Sequence, residues 1–201
     1  MKKHLIVIGL LFNTLLFGTQ ISVVGEVFTQ TWWPYCPDAR AGLQDLYDNE
    51  TNVIPLIWEG DGHTSPGYSQ RAAMYGVGGI PHAEFNGIVN SIGGGTNMYP
   101  YYLNIYEDLI DDDSPVYIDF ITYLNQDDGG LDLVADVVMT GDITTSDNKV
   151  VFLLTYKYTN DYFCTVEGYE QGDFDLNAEG ETGVYTHHFS VDPAWDMSSI
   201  H

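Results

Sequence analysis

The chain has 201 residues, of which 29 are Asp or Glu and 6 are Lys or Arg, so its formal net charge at pH 7 is −23. This charge excludes nucleic acid and anionic membrane surfaces as binding partners, because like charges repel. A hydrophobic fraction of 44% with 14% aromatic residues excludes a mainly disordered chain and is sufficient for a packed core.

Residues 1–22 have the pattern of a secretory signal peptide. Positions 2–4 read Lys-Lys-His, residues 5–17 are almost all apolar, and small or polar residues follow to position 22. The apolar run is shorter than the roughly 20 residues that a membrane-spanning helix needs. We therefore expect a secreted or cell-envelope protein (periplasm or outer membrane) that has no membrane span once the signal is removed.

Residues 23–113 alternate between patterns typical of strands and of helices. Asn86-Gly87 lies between two short apolar runs and predicts a β-hairpin, because this dipeptide adopts the left-handed backbone of a tight turn. The pattern therefore predicts the order strand, helix, strand, helix, hairpin, helix. The predicted strands are 23–28, 53–58, 83–85 and 88–92, and the predicted helices are 37–49, 69–75 and 99–110.

The composition changes at residues 111–115, an Asp-Asp-Asp-Ser-Pro segment typical of a helix end and a linker. Beyond it the helical spacing disappears, and the pattern predicts an antiparallel sheet or half of a β-sandwich. We therefore expect an α+β protein with one domain at 23–113 and an antiparallel β-sandwich-like domain at 114–201. The strands predicted in the second domain are 116–124, 131–139, 150–158 and 183–191.

Two motifs in the first half resemble those of the thioredoxin-like superfamily. The W-P-Y-C segment at 33–36 lies between the first strand and its helix, and it resembles the glutaredoxin C-P-Y-C motif with the attacking cysteine replaced by Trp33. The G-I-P-H segment at 79–82 resembles the family's turn before a hairpin strand, in which the proline is cis. The resemblance covers residues 23–110 and implies a thioredoxin-like α/β domain with a central sheet flanked by helices.

The resemblance implies a binding protein rather than a redox enzyme. The replaced cysteine is the family's nucleophile, and disulfide exchange cannot begin without its thiolate. The groove between Cys36 and Pro81 would still hold an extended peptide or protein partner, and aromatic residues on one loop are common in binding hot spots. Packing of these aromatics over the core is an open alternative, and no cofactor is implied. The expected binding residues are Trp32, Trp33, Pro34, Tyr35, Ile80, Pro81 and His82.

Two alternatives concern the cysteines. If Cys36 is the first cysteine of its motif, as in one-cysteine peroxidases and monothiol enzymes, the protein would be a divergent thiol oxidoreductase or peroxidase that acts through Cys36 alone. The other cysteine, Cys164, lies in the second half. An exported protein with two cysteines is compatible with a disulfide between them, and also with two buried free thiols.

The signals for a metal site are weak. Residues 173–179 have the D-x-D-x-N alternation of a calcium loop, but Ala178 replaces the glycine required at position six and Val184 replaces the glutamate at position twelve. His187 and His188 are adjacent on a predicted strand, so their side chains point to opposite faces. We therefore expect a solvated acidic loop and no metal site.

The layout of signal peptide, thioredoxin-like domain and β-rich domain resembles that of the outer-membrane-protein-related secreted proteins of Bacteroidota. This resemblance implies a role in envelope or extracellular assembly. Residues 195–201 stop where that family would begin another apolar strand, so we expect the second domain to be incomplete at its C-terminus. An open sheet edge beside 150–158 or 183–191 would then favour self-association.

Overall fold

The computed structural model describes residues 19, 20 and 22–201. The basic start and the apolar run of the predicted signal peptide lie outside the described residues. Within the described part of the chain, no helix combines the length and the apolar character needed to cross a membrane. The strands are β1 Thr19–Gln20, β2 Val23–Thr29, β3 Val53–Glu59, β4 His82–Phe85, β5 Val89–Ile92, β6 Asp113–Ser114, β7 Val116–Leu124, β8 Leu131–Met139, β9 Lys149–Tyr156, β10 Thr165–Asp173 and β11 Thr182–Phe189. The helices are α1 Cys36–Asn49, α2 Tyr68–Tyr75 and α3 Tyr99–Leu109, and a short 3₁₀ helix spans Met197–Ser199.

A six-stranded mixed sheet forms the centre of the molecule, in the order β5-β4-β2-β3-β10-β9. β2 and β3 pair in parallel along their whole lengths, whereas β4 and β5 pair antiparallel on the other side of β2. Asn86 and Gly87 both have positive φ, as the tight turn between β4 and β5 requires. The hairpin predicted from this dipeptide is therefore confirmed.

Helices cover both faces of this sheet. α1 and α3 pack on one face, around Leu43, Ile57 and Tyr102. α2 packs on the opposite face, close to Phe28 and Trp58. Because both faces are covered, β2 and β3 must be apolar on both sides, which explains their nearly continuous apolar sequence.

A second sheet contains β7, β8 and β11, which pair antiparallel in the order β11-β8-β7. One face of this sheet packs on the β9 end of the larger sheet. There, Leu131, Ala135 and Phe189 are buried with Phe152 and Leu154 of β9. The two sheets therefore share a small apolar core of their own.

The predicted α+β class is confirmed, but the four strands predicted after residue 114 do not form one sheet. β9 pairs with β10, a strand absent from the prediction, and this hairpin joins the larger sheet beside β3. The link is short: Ile57 N donates to Cys164 O (2.8 Å), and Thr165 is in register with Ile57. Val166 then packs with Phe28 and Trp58, so apolar burial accounts for the position of the hairpin. A division into domains at residue 113 stays a prediction.

Candidate functional site

An aromatic surface lies on the loop between β2 and α1. We call Trp32, Trp33 and Tyr35 the aromatic turn. The Trp32 side chain is 65% exposed and Tyr35 is half exposed, whereas Trp33 is partly buried. The Trp33 ring lies between its neighbours, 5.3 Å from Trp32 and 6.1 Å from Tyr35 between centroids, with both pairs edge to face. The sequence thus places apolar, rigid side chains in solvent at the start of α1.

The Ile80-Pro81 segment lies beside the aromatic turn. The peptide bond between these residues is cis, as expected. A Cβ atom built on Gly94 would lie 3.1 Å from Tyr35 Cβ and 3.2 Å from Pro81 Cγ, and only 2.3 Å from the Tyr35 carbonyl oxygen. The structure therefore brings the two predicted halves of the site together, and only glycine fits between them at position 94. Sequence reasoning missed this close approach.

The predicted binding residues differ in their accessibility. Pro34 is exposed like Trp32 and Tyr35, and Ile80 is half-buried. Pro81 and His82 are buried, and His82 Nε2 lies 2.7 Å from a carboxylate oxygen of Glu84. Pro81 therefore lies beside the accessible surface that the exposed residues form. The His82 ring instead packs edge to face on Phe28, 6.2 Å between centroids, in the core on the α2 side of the sheet, so the structure does not bring His82 to the aromatic turn.

Cys36 is fully buried beneath the turn. Its N–H donates to Trp33 O (3.1 Å), and its Sγ accepts a hydrogen bond from Gln30 N (3.4 Å). Burial raises the pKa of the Cys36 thiol, although the Gln30 bond and the positive charge of Arg40 oppose that rise. Cys36 is therefore a protonated thiol at neutral pH, which is a poor nucleophile.

Cys164 is also a buried free thiol, so the two cysteines do not form a disulfide. Burial raises its pKa to about 11. The alternative of a Cys36–Cys164 bridge is therefore wrong for this structure, and the alternative of two buried thiols is confirmed.

A carboxylate pair lies directly under the aromatic turn. Glu59, at the end of β3, is buried and accepts hydrogen bonds from Thr29 Oγ1 (3.1 Å) and from Gly60 N (3.2 Å). Burial and a hydrogen bond with Asp61 raise the pKa of Glu59 to about 7. Asp61 in turn accepts from Thr31 N (2.7 Å) and Thr31 Oγ1 (3.1 Å). The Glu59 carboxyl group is thus connected, through Asp61, to Thr31, the residue directly before the aromatic turn.

Arg40 is the cation that acts on this site, because its positive charge lowers the pKa of both Cys36 and Glu59. Its side chain is buried on the inner face of α1, and the guanidinium stacks over the Tyr162 ring at 4.2 Å from the centroid. Sequence reasoning missed Arg40, Glu59 and Asp61. The only available signal was a charged residue on an otherwise apolar helix face.

The described residues contain no group of three His, Cys, Asp or Glu side chains that could hold a metal ion. In the acidic loop at residues 173–179, the backbone N–H groups of Asn177 and Ala178 donate to Glu181 Oε2 at 2.7 and 3.0 Å. His188 lies between Asp128 and Asp132. These acidic side chains therefore stabilise local turns and strand contacts.

No protein-family model matches the chain, and no curated protein matches it either.

Proposed function

We propose that the protein is an exported, non-catalytic binding protein that holds an extended peptide of a protein partner at the aromatic turn. Its place would be the cell envelope or the exterior, in the assembly of other proteins. The observation that carries the proposal is the arrangement of the turn: exposed aromatic side chains lie over a fully buried thiol, and burial raises the pKa of that thiol. The surface suits binding, and the thiol does not suit exchange chemistry.

We also propose that residues 23–110 have a thioredoxin-like fold, which would provide a peptide-binding groove. The order β2, α1, β3, α2, β4, β5 and α3 is the order on which the resemblance rests. The degenerate motif begins α1 and faces Pro81 across Gly94. In the family this groove holds an extended polypeptide, so loss of the first cysteine would leave binding without catalysis.

The energetics favour the aromatic side chains as the main contacts. Trp and Tyr are enriched in binding hot spots because they bury a large area at a small cost in side-chain entropy. Trp33 holds Trp32 and Tyr35 in edge-to-face contact, which restricts their rotamers before a partner arrives. A preorganised surface loses less entropy on binding.

The alternative of catalysis through Cys36 alone has weaker support. A thiol nucleophile needs a lowered pKa and access to its substrate, whereas the Cys36 side chain is buried and its pKa is raised. The nearby Glu59 and Asp61 carboxylates raise that pKa further. An active single-cysteine enzyme would need the opposite arrangement.

Binding is tested with peptides selected from a random display library against the full chain and then titrated against variants. We expect Trp32→Ala and Tyr35→Ala to weaken binding at least about tenfold each. Tyr101→Ala is the matched control, because Tyr101 is 64% exposed on α3 and Trp32 is 65% exposed. Equal affinity of the selected peptides for wild type and the Trp32→Ala/Tyr35→Ala double variant would refute the proposed site.

The missing nucleophile is tested by a gain of function. Trp33→Cys restores the C-P-Y-C pattern, so we expect it to confer disulfide reductase activity on insulin while the unmodified protein has none. Cys36→Ser in the Trp33→Cys background should remove that activity. Reductase or peroxidase turnover by the unmodified protein that Cys36→Ser abolishes would favour the single-cysteine enzyme instead.

A further inference from the structure

The most exposed apolar element of the described chain is β7, an edge strand of the three-stranded sheet. Only β8 pairs with it among the described strands, and eight of its nine residues are exposed. The side chains on both faces are large and apolar, with Asp119 as the one charge. The exposed apolar residues are Tyr117, Ile118, Phe120, Ile121, Tyr123 and Leu124.

The backbone of β7 also has hydrogen-bonding groups that point away from β8. Ser114 Oγ donates to Val116 O (2.7 Å) and accepts from Val116 N (3.1 Å), so these groups of Val116 are directed away from the β8 ladder. Residues of an antiparallel strand alternate in the edge that they face. The N–H and C=O groups of Ile118, Phe120, Thr122 and Leu124 therefore point to the open edge.

Among the features with which proteins usually protect an edge strand, β7 has one charged side chain, Asp119, but no lysine, proline, bulge or short length. Its register with β8 is continuous over nine residue pairs. Two of the other edges are better protected. β5 has only four residues, and β9 begins with Lys149 and is partly covered by residues 199–201, which hydrogen-bond to it near Thr155. The edge expected beside 150–158 is thus less open than β7. β11, at the other edge of the three-stranded sheet, has one exposed large apolar residue, Val184, so the edge expected beside 183–191 is less apolar than β7.

We infer that β7 is the interface of a homodimer, in which it pairs antiparallel with β7 of a second copy. A two-fold axis through paired strands requires the antiparallel arrangement and presents the same surface from both copies. The register centred on Phe120 uses the full length of β7. It places Phe120 opposite its mate, and it places Ile118 opposite Thr122. Because Ile118, Phe120 and Thr122 face the open edge in both copies, this register satisfies their backbone groups reciprocally.

The side chains of β7 suit this register. Tyr117 comes opposite Tyr123, and aromatic cross-strand pairs stabilise antiparallel sheets. Asp119 comes opposite Ile121 and not opposite a second carboxylate. The even-numbered face of β7 also borders an open apolar cleft of about 580 Å³, whose lining includes Phe120 and Thr122. A second copy paired with β7 therefore lies next to this cleft and reduces the exposure of its apolar lining.

The ends of β7 make the dimer dependent on salt. Residues 111–113 before the strand are three aspartates, and Asp127 and Asp128 follow it. Antiparallel pairing brings the start of one strand beside the end of the other, so carboxylates from the two copies approach each other. Screening shortens from about 10 Å at 0.1 M salt to about 3 Å at 1 M, so association strengthens with ionic strength.

Sedimentation equilibrium of the full chain at low and high salt tests the dimer. We expect a reversible dimer that tightens with salt, and we expect Phe120→Lys to weaken it at least about 30-fold. Ile88→Lys is the matched control, because Ile88 is 69% exposed in a hairpin turn and Phe120 is 67% exposed. Thr122→Lys is a second disrupting variant for the case that Phe120→Lys does not fold. A wild-type chain that stays monomeric at high concentration and high salt overturns the proposal, as does equal dimerisation of Phe120→Lys and Ile88→Lys.

The register is tested by cross-linking of single introduced cysteines with a short bismaleimide. We expect Phe120→Cys to give covalent dimers rapidly. Leu124→Cys should give few, because its mate lies eight residues away along the strand, or about 27 Å. The unmodified chain, which has only the buried Cys36 and Cys164, is the control for cross-linking through the native thiols. Equal cross-linking at both introduced positions would show non-specific association and overturn the assigned pairing.

Discussion

Two buried glutamates on neighbouring strands have opposite electrostatic surroundings. Glu26 of β2 accepts hydrogen bonds from Trp58 Nε1 (2.9 Å), from Arg71 Nε (2.9 Å) and Nη2 (2.6 Å), and from the Tyr75 hydroxyl (2.5 Å). Glu59 of β3 has no Lys or Arg ion pair among the described residues and instead shares a hydrogen bond with a second carboxyl group.

The comparison separates a structural ion pair from a titratable group. Arg71 compensates the charge of Glu26 and connects α2 to the sheet. This ion pair lies on the α2 side of the sheet, and its residues are far in sequence from the aromatic turn. Glu59, at the end of β3, has no hydrogen-bonded cation in the described part of the chain. The charge of Arg40 lowers its pKa, but burial and the hydrogen bond with Asp61 outweigh that effect and raise the pKa to about 7. Burial alone therefore does not distinguish the two carboxylates, whereas a hydrogen-bonded cation, present at Glu26 and absent at Glu59, does.

The largest expected effect comes from removal of the compensated group. Glu26→Ala leaves the partly buried Arg71 guanidinium and the Trp58 N–H without their acceptor. Breaking a buried pair on one side costs about 3–5 kcal/mol, so we expect the free energy of unfolding, measured by urea denaturation, to fall by that amount. Glu107→Ala, at an exposed position of α3, is the control and should change it by less than about 0.5 kcal/mol.

A double variant shows whether the loss comes from the uncompensated charge. Replacement of both partners by apolar residues, Glu26→Leu with Arg71→Met, should recover a large part of the lost stability. Neither charge of this pair then remains buried without its partner. A loss in Glu26→Ala as small as that of Glu107→Ala would mean that the pair is not structural, and the comparison would fail.

The second expected effect is a dependence of stability on pH that arises from Glu59. Its pKa is about 7 in the folded state and near 4.5 in the unfolded chain, so the folded state holds the proton more tightly. The stability from this group is fully present below pH 4.5 and is lost as pH rises through 7, by up to about 3 kcal/mol. Relative to wild type, Glu59→Gln should therefore gain stability progressively over that window.

The measurement is the difference in unfolding free energy between Glu59→Gln and wild type at several pH values from 4 to 8. The difference cancels the pH dependence of the other 28 acidic residues, which both proteins share. A difference that does not change with pH would show that Glu59 has the same pKa in the folded and unfolded states, and the raised pKa of Glu59 would be refuted.

Local patterns predicted most elements of the larger sheet but not the groups that distinguish the two glutamates. The apolar runs of β2 and β3, the helical spacing of α1 and the Asn86-Gly87 turn are properties of short segments, so sequence reasoning found them. Glu26 and Arg71 are 45 residues apart, and they meet only because α2 folds over β2. Pairing of that kind depends on tertiary structure and leaves no spacing in the sequence.

The same limit explains why the sequence did not predict strand β10. Its sequence, Thr-Val-Glu-Gly-Tyr-Glu-Gln-Gly-Asp, has no apolar alternation, and two glycines and three acids disfavour a strand. Its partner β9 provides the ladder, and Val166 is buried with residues from the first half of the chain. Burial by distant residues therefore overrides a weak local propensity. The aromatic turn, by contrast, was predictable because its residues are contiguous.

A third prediction tests the coupling within the carboxylate pair. Asp61 raises the pKa of Glu59 through a hydrogen bond and through its negative charge, so Asp61→Asn should lower that pKa. Burial, the largest cause of the shift, remains, so the pKa should stay above its ordinary value. The midpoint of the Glu59-dependent loss of stability should therefore move to lower pH in Asp61→Asn, whereas Asp108→Asn, at an exposed position of α3, should not move it. An unmoved midpoint in Asp61→Asn would show that burial alone sets the pKa of Glu59.

The smallest expected effect is on the thiol beneath the aromatic turn. Burial is the main cause of the raised pKa of Cys36, and the negative charge of Glu59 is a minor one. That charge is present above about pH 7, where the thiol titrates. Glu59→Gln should therefore lower the pKa of Cys36 slightly, measured by thiolate absorbance against pH in a Cys164→Ser background that removes the second thiol.

Glu26→Gln is the control that returns to the comparison between the two glutamates. It removes a charge of the same kind from the neighbouring strand, but Glu26 does not contribute to the Cys36 pKa. We therefore expect its thiol to titrate as in the Cys164→Ser parent, provided that circular dichroism shows the variant folded over the titration. Equal shifts in both variants would mean that the thiol responds to the net charge of a strongly acidic protein. A shift confined to Glu59→Gln would show that the charge of Glu59 acts directly on the Cys36 thiol, because a nearby charge acts more strongly through the low-dielectric interior than a distant one.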